Sequence, residues 1–91
     1  MMIDYLPIGS VVQLDETEVL FMIVGLAVEN ENNIRKDYLA VKYPMGVLNS
    51  DSYYFFDHSI IKKIVHQGYS SVDHDVYKRL LNNLLEGDKN G

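Results

Sequence analysis

Residues 11–28 read VVQLDETEVLFMIVGLAV, two apolar runs separated by the polar tetrad Asp15-Glu16-Thr17-Glu18. A polar tetrad between apolar runs is typical of a hairpin turn, so we expect a short strand over 11–14 and a longer one from Val19 to Val28. Both the odd and the even positions of the longer run are apolar, which predicts a strand covered on both faces. Gly25 predicts a bulge or bend within this strand. This hairpin predicts the centre of a small antiparallel sheet.

Three further strands are expected after an exposed polar loop at 29–33. Residues 36–43 and 53–56 are rich in aromatic and aliphatic side chains, and Pro44-Met45-Gly46 predicts a turn after the first of them. Asp57 is placed to cap a helical turn that reaches Ile60 or Ile61. Residues 64–66 predict a fifth short strand.

The last predicted element is an amphipathic helix from Ser71 to about Leu85, with Ser70 and Asp73 as a capping-box-like start. Its apolar residues recur every four positions at Val72, Val76, Leu80 and Leu84, and Tyr77, Leu81 and Leu85 widen this apolar stripe. We expect the helix to pack on the sheet through Val76, Leu80 and Leu84. Strands followed by one helix indicate an α+β domain. We expect a small bent antiparallel sheet or SH3-like barrel of about five strands, a single domain over 1–91, and a disordered tail from about residue 87.

Charge and composition exclude several classes of function. The net charge is −5, and residues 1–35 carry all of it, with six acids against Arg35. A basic stripe for phosphate contacts is missing, so we expect neither nucleic-acid nor membrane binding. The acidic third either keeps the chain soluble or attracts a basic partner. The longest apolar run has half the length of a membrane span, and the N-terminus lacks the basic region of a signal peptide, so a cytoplasmic location is expected.

The residue pattern predicts no catalytic residue, metal site or cofactor. The chain has no cysteine, and His58, His66 and His74 are eight residues apart, whereas helical metal ligands come three or four apart. Gly-rich phosphate loops and a G-x-S-x-G motif are absent from the sequence. We therefore expect a binding protein and not an enzyme.

Tyrosines near two strands are the candidate partner-binding residues. Strand alternation sends Tyr53 and Phe55 to one face and Tyr54 and Phe56 to the other. One face must be core, and the other is either covered by the helix or exposed as a tyrosine-rich contact surface. The predicted site comprises Tyr43, Met45, Tyr53 and Tyr54, with Asp15, Glu16 and Glu18 as a rim that steers a basic partner. The alternative is that these tyrosines only complete the core.

An ordered series of short motifs resembles the DUF4176 family of Gram-positive bacteria. The motifs are LPIGSVV (6–12), FMIVG (21–25), Asp37-Tyr38, YPMG (43–46), YFFDH (54–58) and Gly68-Tyr69. The resemblance runs from about Leu6 to Leu85. It implies a small cytoplasmic protein encoded near a type VII secretion system, which binds an LXG-type toxin as an accessory or targeting factor. The alternative is an immunity or regulatory protein that inhibits a toxin.

Overall fold

A computed structural model describes residues 3–90, with side-chain surroundings for residues 3–85. Its elements are β1 Val11–Leu14, β2 Leu20–Glu29, β3 Arg35–Tyr43, β4 Tyr53–Phe56, a 3-10 turn at His58–Ile60, β5 Ile61–His66 and α1 Val72–Asn90. The five strands form one antiparallel sheet in the order β4-β3-β2-β1-β5. The α+β prediction is confirmed, and the sheet is open, with β4 and β5 at its edges.

The predicted bulge in β2 is present and depends on a close approach between strands. The register between β2 and β3 shifts between Ile23 and Gly25. A Cβ on Gly25 would lie 3.1 Å from side-chain atoms of Leu39 and of Val28. Glycine therefore lets the two strands stay in contact where the extra residue bends β2.

The core lies on one side of the sheet, which we call the inner face. Its members include Val12, Ile23, Tyr38 and Ala40, all fully buried. The Tyr38 hydroxyl accepts a hydrogen bond from the Leu6 N–H (3.0 Å) and contacts His58 Nδ1 at 2.6 Å. Burial raises the pKa of Tyr38 to about 12. These bonds tie the opening segment, residues 3–10, and the turn after β4 to the centre of β3.

The opening segment is also fixed by backbone contacts at the end of β5. The Ser10 hydroxyl accepts a hydrogen bond from the Gly68 N–H at 2.9 Å. A Cβ on Gly68 would lie 2.3 Å from the Ile8 carbonyl oxygen, so only glycine fits between these chains. The glycine that follows β5 thus lets the chain pass directly over the opening segment before it enters α1.

The prediction that α1 packs through Val76, Leu80 and Leu84 is wrong, because the leucines that contact the core lie at the margin of the predicted stripe. Leu81 and Leu85 pack against the core, and Asn82 is 4% exposed. The four residues of the predicted face are at least half exposed: Val72, Val76, Leu80 and Leu84. The apolar spacing is regular, but tertiary hydrogen bonds decide which side faces inward.

Those bonds join side chains of α1 to the backbone of the opening segment. Asn82 Oδ1 accepts from the Ile3 N–H (2.8 Å), and Asn82 Nδ2 donates to the Ile3 carbonyl (2.9 Å). His74 Nε2 donates to the Tyr5 carbonyl (3.0 Å). Unpaired backbone groups of an irregular segment need such partners, so the buried face of α1 includes polar residues.

The start of α1 also differs by one residue from the prediction. Ser71, not Ser70, precedes the helix, and its hydroxyl accepts from the His74 N–H at 3.3 Å. The helix continues to Asn90, past the predicted end near Leu85. The disordered tail expected from about residue 87 stays a prediction, and the side chains of that part lie outside the described residues.

Candidate partner-binding surface

The strand register defines a second face of the sheet, opposite the core, which we call the outer face. One row of paired residues crosses all five strands on this face: Tyr53, Val41, Met22, Val11 and His66. Val11 and Val41 are buried, yet neither belongs to the core cluster of the inner face. The outer face therefore carries an apolar row of its own.

This face is open at its tyrosines, although Val11 and Val41 in the apolar row are buried. Tyr43 and Tyr53 are 51% and 42% exposed, and Met22 and Leu20 are half-buried. The both-parity apolar pattern of β2 predicts cover on both faces, but Leu81 of α1 packs against the inner-face core. Of the two alternatives for the second face, the structure therefore favours the exposed, tyrosine-containing surface.

The structure divides the four predicted contact residues between two places. Tyr43 and Tyr53 share the outer face, because Tyr53 pairs with Val41, two residues before Tyr43. Tyr54 lies on the other side of β4, where its ring contacts Phe21 edge-on with centroids 5.3 Å apart.

Met45 and Tyr54 line a separate groove of about 290 Å³ beside the turn that follows β3. Tyr54 is also 37% exposed and lies 5.3 Å below the Lys42 ammonium. Tyr54 therefore belongs partly to the packing of the domain, whereas Tyr43 and Tyr53 are the stronger contact candidates.

The predicted acidic rim lies at the same end of the sheet as Tyr43. Asp15, Glu16 and Glu18 are exposed in the turn between β1 and β2, which we call the acidic turn. Leu20, two residues after Glu18, pairs with Tyr43. The three carboxylates and Tyr43 therefore lie at the same end of the sheet.

A groove that the residue pattern did not predict opens beside Tyr53 on the outer face. Its volume is about 460 Å³, with Leu39, Tyr53 and Phe55 as an apolar lining. Glu31 and Asp51 contribute carboxylates from two different loops. Strand parity does indicate that Phe55 accompanies Tyr53, but the meeting of the two loops depends on tertiary structure. Such a groove can take an apolar side chain that ends in a cation.

β4 offers backbone groups as well as side chains. It is an edge strand with no charged residue, whereas the opposite edge strand, β5, carries exposed Lys62 and Lys63. Charged side chains on an edge discourage pairing with another chain, so β5 is protected and β4 is not.

Two carboxylates hold β4 in place against β3. Asp57 Oδ1 accepts from the Asp37 N–H (3.2 Å), and Asp37 Oδ2 accepts from the His58 N–H (2.8 Å). Asp57 precedes the 3-10 turn as predicted, but its side chain makes no capping bond there. Its carboxylate instead fixes the end of the edge strand.

The histidines do not gather into a ligand set. His58 bonds to Tyr38, His74 to the Tyr5 carbonyl, and His66 is exposed at the end of β5. Within the described residues, no three metal-ligating side chains are placed to hold an ion. No helix in that part of the chain is long and apolar enough to cross a membrane.

Comparison with known proteins adds a family match. The model of a family described as a domain of unknown function, DUF4176, matches residues 5–76, which include all five strands and the first turn of α1. No curated protein and no solved structure matches the chain.

Proposed function

Because the chain belongs to the DUF4176 family, we propose that it is a non-enzymatic protein-binding module. On the family resemblance, its partner is a secreted LXG-type toxin, which it binds in the cytoplasm as an accessory or targeting factor of type VII secretion. The partner is proposed from the resemblance, and the binding surface is proposed from the geometry.

The observation that carries the binding role is the unprotected edge of β4 beside the open outer face. An extended segment of a partner can add to such an edge, with backbone hydrogen bonds supplying affinity and side-chain contacts supplying specificity. Tyr53 is half exposed at this edge, and Tyr43 lies diagonally across from it. Tyrosine is enriched at interfaces because it offers a large apolar area with a polar tip.

Electrostatics support a basic partner surface. The acidic turn lies next to Tyr43, and its three carboxylates outnumber the exposed Lys63, which pairs with Gln13 at the same end of the sheet. Long-range attraction of this kind raises the association rate more than the affinity, and salt screens it. We therefore expect association with the toxin to slow as ionic strength rises, with a smaller effect on dissociation.

The proposal is tested by titrating the full chain into the inactivated full-length LXG-type toxin encoded beside it, using calorimetry. Tyr43→Ala and Tyr53→Ala are each expected to weaken binding by about tenfold or more, as truncation of a central interface residue does. Tyr69→Ala is the matched control, because Tyr69 is 85% exposed in the segment between β5 and α1. All three variants should keep the melting temperature of the unmodified chain.

Two outcomes would contradict this assignment. Absence of binding by the unmodified chain refutes the toxin as partner, and equal loss in the Tyr69 control refutes the β4 surface. A separate assay with the active form of the toxin distinguishes the targeting role from inhibition: an active toxin in the bound complex supports an accessory factor, whereas a blocked toxin supports the immunity alternative.

A further inference from the structure

The face of α1 turned away from the core is a continuous apolar ridge. We call Val72, Val76, Leu80 and Leu84 the α1 ridge; they are 75%, 56%, 50% and 56% exposed. Tyr77, beside the ridge, is 45% exposed. Monomeric proteins rarely leave a contiguous apolar patch of this kind open, and such patches mark interaction sites.

We propose that the α1 ridge is the interface of a symmetric dimer, in which the ridge of a second copy packs antiparallel against it. Residues four apart form one of the two natural ridges of a helix. When two ridges of this class interdigitate, the helices cross at about −50°, the commonest packing in globular proteins. The α1 ridge supplies this pattern over three turns without a polar interruption.

The order of side-chain sizes along the ridge favours the antiparallel arrangement. The ridge has two valines in its first half and two leucines in its second half. A two-fold axis level with Lys78 places Val72 opposite Leu84 and Val76 opposite Leu80. Every layer then pairs a small side chain with a large one, which fills space evenly. A parallel arrangement would pair valine with valine and leucine with leucine.

The charges beside the ridge are complementary in the same arrangement. Asp75 and Arg79 lie four residues apart, so they share one edge of the ridge. The same two-fold axis places Asp75 level with Leu81 of the second copy, about 3 Å along the axis from its Arg79 at 1.5 Å per residue. Both ion pairs of the symmetric dimer can therefore form, in addition to the contact that each Asp75 makes with Lys78 of its own chain at 3.8 Å.

Overall charge does not oppose this contact. Between Val72 and Leu85, the helix has two acids and two bases: Asp73, Asp75, Lys78 and Arg79. The excess of acid lies in residues 1–35. A neutral, self-complementary ridge fits a second copy of this chain better than it fits a strongly basic or acidic partner.

The first test measures the mass of the full chain alone by sedimentation equilibrium. One helix per copy gives an interface at the small end of stable ones, so we expect dissociation in the micromolar range and measure from about 5 to about 500 µM. Leu80→Glu should weaken dimerisation at least about tenfold, since it puts two charges into the apolar interface. Leu48→Glu is the control, because Leu48 is 73% exposed in the loop between β3 and β4.

The second test reads the orientation from disulfide formation, which is possible because the chain has no cysteine. Val76→Cys and Leu80→Cys are prepared separately and then mixed with a mild oxidant. The antiparallel axis sets position 76 of one copy opposite position 80 of the other. A disulfide between the two variants should therefore form faster than a disulfide between two copies of the same variant. A chain that stays monomeric throughout the concentration range overturns the proposal. Equal cross-linking in all three samples overturns the antiparallel register.

Discussion

Replacement of Asn82 tests the contact that decides how α1 packs. In the native structure the Asn82 amide makes three hydrogen bonds: from the Ile3 N–H at 2.8 Å, to the Ile3 carbonyl at 2.9 Å, and to the Lys78 carbonyl at 3.0 Å. Asn82→Ala removes all three bonds and leaves both Ile3 groups without this partner. Ile3 is half-buried, so water replaces part of what is lost.

The size of the effect follows from these bonds. A typical intramolecular hydrogen bond contributes ~0.5–1.5 kcal/mol net, and the bond to Lys78 contributes least because that carbonyl also accepts within the helix. Alanine has a higher helix propensity than asparagine, which offsets this loss by about 0.6 kcal/mol. We expect the free energy of unfolding to fall by about 2 kcal/mol, which for a chain of this size lowers the melting temperature by ~8–16 °C.

The matched control is Asn83→Ala, measured with Asn82→Ala by urea unfolding at neutral pH. Asn83 is the exposed neighbour in the same helix, so its replacement brings the same propensity gain without touching Ile3. Asn82→Asp keeps the size of the side chain but turns a carboxylate oxygen towards the Ile3 carbonyl. It should destabilise the fold at neutral pH and recover as acid protonates the introduced carboxyl. Equal stabilities for Asn82→Ala and Asn83→Ala would refute the proposed role of the amide.

Two further predictions concern the helix face and the core tyrosine. At chain concentrations below those at which the proposed dimer forms, Leu81→Ala should lower the free energy of unfolding by ~1–3 kcal/mol because Leu81 packs on the core. Leu80→Ala should change it by less than ~0.5 kcal/mol there. Equal losses in urea unfolding would return α1 to the face that its apolar spacing predicts. Burial raises the pKa of Tyr38 from 10.0 to about 12. The unfolded chain releases the Tyr38 proton at a lower pH than the folded chain does. The contribution of protonated Tyr38 to the free energy of unfolding is therefore complete below pH 10 and falls by up to about 3 kcal/mol as the pH rises towards 12. Urea unfolding from about pH 9 to about pH 11 should show this loss, and Tyr38→Phe should lack it; an unchanged pH dependence in Tyr38→Phe would assign the loss to other groups.

The strands could be predicted because their signals are local. The bounds of β1 and β4 agree with the residue pattern, since turn residues and apolar runs act within a few positions. The bulge at Gly25 is local for the same reason. Composition and strand alternation predict Tyr43 and Tyr53 as contact residues, and both side chains are exposed.

Local residue patterns were enough to predict the α+β class, the order of strands and helix along the chain, and the amphipathic character of α1. Long-range contacts settle which side of α1 faces the core, that Tyr43 shares a face with Tyr53, and that β4 lies at an edge of the sheet. The apolar spacing within one helix carries no information about backbone groups of a distant segment that need hydrogen-bond partners. Asn82 meets Ile3 across 79 residues, and that pair of hydrogen bonds turns the regular apolar stripe of α1 outward.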